Sequence, residues 1–216
     1  MSPEKMYKEI ETHLLLDERP SEYLEKVSVT ESFLQYPFEL LNRMKKTEQS
    51  PQYHPEGNVW IHTMVVVDEA AQRRERSRNP GAFMWAALLH DIGKPVTTSY
   101  RKGKITSYNH DREGEILAGE FLQACSETEV PAPAAKEFYE EVCGLVRYHM
   151  QILFAAKGMA RAELEAMKQR VDIREAALLG LCDRLGRAGV NIEEEKKNVT
   201  NFLRACGVLE GEMDII

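Results

Sequence analysis

AFMWAALLHDIGKP, residues 82–95, decides how this chain is read. Ala82 to Leu89 is the longest unbroken apolar run in the sequence. A segment apolar on every side has no face for water, so it predicts a central, buried helix over 82–91. Gly93 and Pro95 predict where it stops. The run is far too short to cross a bilayer. His90 and Asp91 stand at its end, where an imidazole or a carboxylate is costly unless paired or ligated.

Helical periodicity extends outward in both directions. Helices are predicted over 4–16 and 21–27, broken at Pro20, and over 37–46, with Pro37 in the first turn. After the loop SPQYHPEGN (50–58), Asn58 caps a helix running from Val59 to about Arg76. Downstream helices are predicted over 111–125, 134–150, 161–170, 172–188 and 192–207, with Gly189 and Gly207 as C-caps. VTTSYRKGKITSY (96–108) differs: Thr, Tyr and Ile flank Lys-Gly-Lys, which predicts one small β-hairpin near residues 97–108. The fold class is therefore all-α, a helical bundle with one hairpin. Its expected organisation is a helical preface over 1–50 packed on the core, a main domain over 51–190, and a C-terminal helix and tail over 191–216.

With 216 residues, 43% of them hydrophobic, the chain can bury a core. A net charge of −7 argues against coating nucleic acid with a basic surface, but leaves room for a local phosphate site. MSPEKMYKEIETH lacks the apolar stretch of a signal peptide. Cys125, Cys143, Cys182 and Cys206 are widely spaced, without a CxxC pair. They read as buried thiols of a reducing cytoplasm, with no disulfide-linked partner and no membrane expected.

More polar residues interrupt apolar faces: His62 in VWIHTMVVVDEA, His110 in YNHDREGE, His149 in LVRYHM and Asp183 in ALLGLCDRLGR. One such residue alone is ordinarily a satisfied core side chain. Five such places in one chain suggest a shared partner. Imidazole nitrogen with carboxylate oxygen suits one or two divalent ions: Mn, Fe, Co, Ni or Zn, and less ideally Mg. Asp91 can bridge two ions, which a histidine cannot.

In this order, His62, His90-Asp91 and Asp183 resemble the H…HD…D signature of the HD superfamily of metal-dependent phosphohydrolases. His110 and His149 resemble the extra histidines of its two-metal members. The chain most resembles the C-terminal HD domain of bacterial tRNA nucleotidyltransferases. YHPEGNVWIHT (53–63) is similar to that family's HPEGDVWTHT, with Asn58 for the usual Asp. LLHDIGKP, NHDREGE (Glu115 for a small residue) and CDRLGR resemble its HD-x-GK, GHE-x-x-GA and D-x-x-GR segments. The likeness covers roughly residues 35–190. Residues 1–50 resemble no nucleotidyltransferase head, so CCA addition is not expected of this stretch.

The resemblance implies a metal-dependent phosphomonoesterase or phosphodiesterase acting on a nucleotide or RNA-derived phosphate through a metal-activated water. It implies metal ligation by His62, His90, Asp91 and Asp183. His110 and His149 either hold a second ion or serve the phosphate directly. Asp91 and Lys94 are the expected catalytic residues. Lys94, Arg187 and His54 are expected to meet substrate, with Glu56 near the pocket. Arg184 reads as an ordinary surface residue, and Trp60 and Trp85 as core. QRRERSR (72–78) reads as a solvated face, while RKGK (101–104) is the better candidate for a phosphate or RNA tail. Two other functions fit the same residues: an HD-type di-iron oxygenase, and a non-catalytic tRNA- or nucleotide-binding module.

Overall fold

The computed structural model describes residues 1–101, 103–126, 133–159 and 162–208. In chain order come α1 (Pro3–Leu16), α2 (Pro20–Val27), α3 (Glu39–Arg43), α4 (Val59–Ala71), α5 (Pro80–Leu89) and α6 (Lys94–Thr97). The hairpin follows as β1 (Thr98–Arg101) and β2 (Lys104–Ser107). Then come α7 (His110–Ala124), α8 (Pro133–Tyr148), α9 (Gln151–Ala156), α10 (Leu164–Lys168), α11 (Ile173–Leu185) and α12 (Ile192–Ala205). The fold is all-α with one small antiparallel hairpin, as the sequence predicts.

Helix α5 is the axis of the molecule. Asn79 caps it by accepting from Ala82 N, Pro80 pre-sets its first turn, and every residue from Ala82 to Leu89 is buried. It packs against α1, α4, α8 and α11. Truncating Leu88 to Ala there would cost about 2–5 kcal/mol. Residues 1–50 feed the same core: Met6, Ile10 and Leu14 form one buried stripe of α1, joined by Leu24, Phe33, Phe38 and Met44. Helix α12 covers α11 and α9. Trp60 and Trp85 are core residues.

Several boundaries differ from the sequence expectation. Helix α4 ends at Ala71 rather than Arg76, and Arg74–Arg76 is a 3₁₀ turn. There Arg74 donates to the carbonyls of Leu14 (3.4 Å) and Asp17 (2.5 Å) at the end of α1. Arg78 pairs with Asp172, so Arg74 and Arg78 tie elements together, while Arg73 pairs with Glu69 one turn back and Gln72, Glu75 and Arg76 are exposed. The segment 134–150 breaks after Tyr148 and resumes as α9. The segment 161–170 retains only Leu164–Lys168, and Arg161 lies outside the described residues. Gly186, not Gly189, caps α11, and its Cα side lies too close to Val66 Cγ2 for a Cβ. Gly207 directly follows the last residue of its helix's cap, with φ +86°. In the hairpin, Thr98 pairs with Ser107 through to Arg101 with Lys104. Lys102 of the RKGK cluster lies outside the described residues.

Candidate metal centre

His90 takes the C-cap of α5, and the backbone bonds Ile92 N to Leu89 O and Lys94 N to Asp91 O turn the chain into α6. The turn leaves His90 and Asp91 buried side by side. His62 arrives from α4 and Asp183 from α11. His62 Nε2 lies 3.1 Å from Asp183 Oδ1 and 4.0 Å from Asp91 Oδ2, and His90 Nε2 lies 3.3 Å from that same oxygen. The other oxygen, Asp91 Oδ1, faces His110 Nε2 at 3.5 Å and His149 Nε2 at 3.8 Å, which are 3.3 Å from each other. All six residues that the sequence singles out lie in one cluster, with Asp91 between its halves.

Two ligands each about 2.1 Å from one ion lie about 3.0 Å apart when adjacent and about 4.2 Å when opposite. The separations of 3.1–4.0 Å fall inside that range. The free donors agree. His90 Nδ1 donates to Ala87 O (2.8 Å), His110 Nδ1 to Ser107 O (2.7 Å) and His149 Nδ1 to Val146 O (2.6 Å). A carbonyl only accepts, so Nδ1 carries the proton and Nε2 keeps its lone pair. His90 Nε2 is buried without a hydrogen bond, while Asp91 Oδ2 takes an ion pair from Lys94 Nζ at 2.6 Å. A buried nitrogen left so costs about 1–3 kcal/mol. The cluster is compatible with a divalent metal ion.

Four of the five shifted groups carry the charge state of a metal ligand, and His62 is the exception. Burial would raise Asp91 and Asp183, yet Lys94 beside the first and Arg187 beside the second, with the neighbouring histidines, hold both carboxyls well below the usual range. Burial lowers His110, and lowers His149 to about 4 with help from His110 and His90. His62 is raised: burial opposes the shift, but Asp183 and Glu56 outweigh it.

Glu56 is the residue whose role the sequence understates. Its Oε1 is 2.9 Å from both His62 Nδ1 and His54 Nδ1, and Oε2 accepts from Ala188 N at 3.3 Å. Burial raises this carboxyl, but the bonds to His62, to backbone and to His54 pull it down to about 2. His54 is lowered to about 3 by burial and by the nearby Lys94, His62 and Arg187. The spacing HPEG…H carries a signal for this relay, since a carboxylate often orients a ligating imidazole. Gln49 has no such signal. It is buried in the preface, and its Oε1 accepts from Lys94 Nζ at 2.5 Å.

Lys94 is buried at the start of α6. Arg187 Nη2 lies 3.4 Å from each Asp183 oxygen, and its Nε is buried and unpartnered. Arg184 is not an ordinary surface residue: it pairs with buried Glu195 of α12 at 2.5 and 2.9 Å. Asp91, Lys94, His54, His110, His149, Asp183 and Arg187 all line one cavity of about 660 Å³. Tyr53, Tyr108, Leu153 and Phe154 are among the other residues of its wall. Strand β2 lines it through Ile105, Thr106 and Ser107, while Arg101 and Lys104 are exposed outside it.

Residues 59–188 match the HD domain family, a span that contains all six clustered residues. The chain belongs to the HD-domain family. Similar proteins include one named multifunctional CCA protein from Hahella chejuensis, 31% identical over 182 residues, covering 82% of this chain and 39% of that protein. Another of that name, from Pasteurella multocida, is 28% identical over 197 residues, covering 88% of this chain and 44% of its own length. A third, from Actinobacillus pleuropneumoniae, is 38% identical over 60 residues, covering 28% of this chain and 15% of its own length. The chain thus spans less than half the length of these relatives. The chain carries four free cysteines, three of them within the HD-matching span, and among the described residues no helix is long and apolar enough to cross a membrane.

Proposed function

We propose that this HD domain is a metal-dependent phosphohydrolase that cleaves a phosphate ester of a nucleotide or an RNA end. One observation carries the reading: Asp91 presents one oxygen to each of two histidine clusters in a cavity that also holds Lys94 and Arg187. His62, His90 and Asp183 with Asp91 Oδ2 would hold one ion, and His110 and His149 with Asp91 Oδ1 a second. Divalent ions so held supply Lewis acidity and bring a water's pKa towards neutrality. Arg187, anchored by Asp183, lines the cavity and offers its guanidinium to a phosphoryl oxygen. Lys94, fixed by Gln49, adds a positive charge beside Asp91. Glu56 holds the His62 ring in place. The free thiols suit a cytoplasmic setting. Mn, Fe, Ni, Co, Mg and Zn all remain candidates for the ion, since the donor set accepts each.

Metal analysis of the isolated protein, paired with a phosphatase and phosphodiesterase panel in Mn, Ni, Co and Mg, tests this. We expect phosphate release that Asp91→Ala abolishes. Two irons with oxygen uptake and no phosphate release would mean an oxygenase instead. Tight tRNA binding without turnover in any metal would mean a binding module.

A further inference from the structure

The second half of the cluster stands wholly at helix ends. In the first, His62 and Asp183 lie within α4 and α11, and His90 caps α5 in the apolar core. His110 and His149 sit at helix ends: one opens α7, the other lies in the turn after α8. Helix ends leave backbone groups unpaired and fray, so their geometry needs an outside restraint. An ion network supplies one. Arg147, two residues before His149, is buried and donates through Nη1 to Asp111 Oδ2 at 2.9 Å, the residue after His110. Its Nη2 bonds Glu163 Oε2, and its Nε lies 3.7 Å from Glu115 Oε2. Arg112 pairs with Glu163 at 2.6 Å and Arg170 with Glu115 at 2.7 Å, so three cations meet three carboxylates. The backbone of Glu163 is tied in turn by Gln151 Oε1 at 2.7 Å.

We propose that Arg147 is a positioning residue that sets the spacing of His110 and His149 and thereby builds the second ion's site. The first ion's site does not depend on it. A planar guanidinium spans Asp111 and Glu163 at once, a fork that an ammonium does not reproduce. The inference rests on the two-ion reading above, but its test does not use substrate.

The test is Mn(II) binding to the full chain by equilibrium dialysis, with wild type, Arg147→Met, Arg147→Lys and Glu163→Ala. Wild type binds two ions. Arg147→Met keeps the first ion's affinity and weakens the second by about 10–100-fold, the usual effect of losing a residue that orients a ligand. Arg147→Lys falls between. If Arg147→Met does not fold, Glu163→Ala decides, because it removes one arm of the clamp from a partly exposed side chain; it weakens the second ion about tenfold. Two ions in wild type with unchanged or equally weakened binding of both in the folded variants would overturn Arg147's role and leave the two-ion reading standing. Fewer than two ions in wild type would overturn both.

Discussion

Gly93 offers the sharpest test of how the cluster is held. A Cβ at this position would lie 2.1 Å from His110 O, 2.5 Å from Gly114 N and 3.0 Å from Gly114 Cα. All three are backbone atoms of α7, so no side-chain rotation relieves the clash. Restoring an ordinary contact, from 2.1 Å to 3.4 Å, needs α7 to retreat by about 1.3 Å at its first turn. Overpacking typically costs 1–3 kcal/mol, and a backbone obstacle puts Gly93→Ala at about 3 kcal/mol. For a chain of this size that lowers Tm by about 6–12 °C. The retreat also carries His110 away from Asp91 Oδ1, now 3.5 Å distant, and from His149. Differential scanning calorimetry with and without Mn(II) reads both effects. Gly93→Ala should melt early and gain less from the ion than wild type. A variant that melts within 1–2 °C of wild type and gains as much from Mn(II) would refute the packing argument.

Three further outcomes follow from the same geometry. Glu56→Gln loses the carboxylate that orients His62, so metal affinity measured by calorimetric titration should fall about 10–100-fold; unchanged affinity would remove Glu56 from the centre. Burial raises Glu195, but hydrogen bonds from Arg184 and Asn198 outweigh it and leave the carboxyl lowered. A lowered carboxyl stabilises above its ordinary value of 4.5 and loses that contribution as pH falls through its folded value. Urea unfolding should therefore show Glu195→Gln less stable than wild type at pH 7, with the gap closing in acid; a gap that widens below pH 4.5 would contradict the pairing. Finally, burial pushes the thiols of Cys125 and Cys182 up to about 12 and those of Cys143 and Cys206 to about 11. At pH 8 Ellman's reagent should label them only after denaturation, and rapid labelling of the native protein would show the thiols are not so shielded.

Much of the architecture is legible along the chain because it is local. The apolar run from Ala82, the Asn58 cap and the two short Thr- and Tyr-bearing strands each act within a few residues, and each appears where expected. The HD-like segments likewise announce the family. Helix ends are less legible. Arg74 ends α4 by binding carbonyls at the far end of α1, and nothing near Arg74 signals that partner. The same holds for Arg184, whose place beside Glu195 depends on how α12 lies on α11.

The residue types of the cluster and their order along the chain can be read without the fold, but whether His90, His110 and His149 lie inside or at the ends of their helices cannot. Periodicity and chemical character are properties of short stretches, so they survive in one dimension. Helix packing sets how Asp91 turns its two oxygens to different histidine pairs. It also decides that Glu56 backs His62, that Gln49 holds Lys94, and that Arg147 clamps the ends of α7 and α8. His62 and Asp183 touch across 121 positions of chain, and such a contact is set by how helices pack, not by what lies beside either residue.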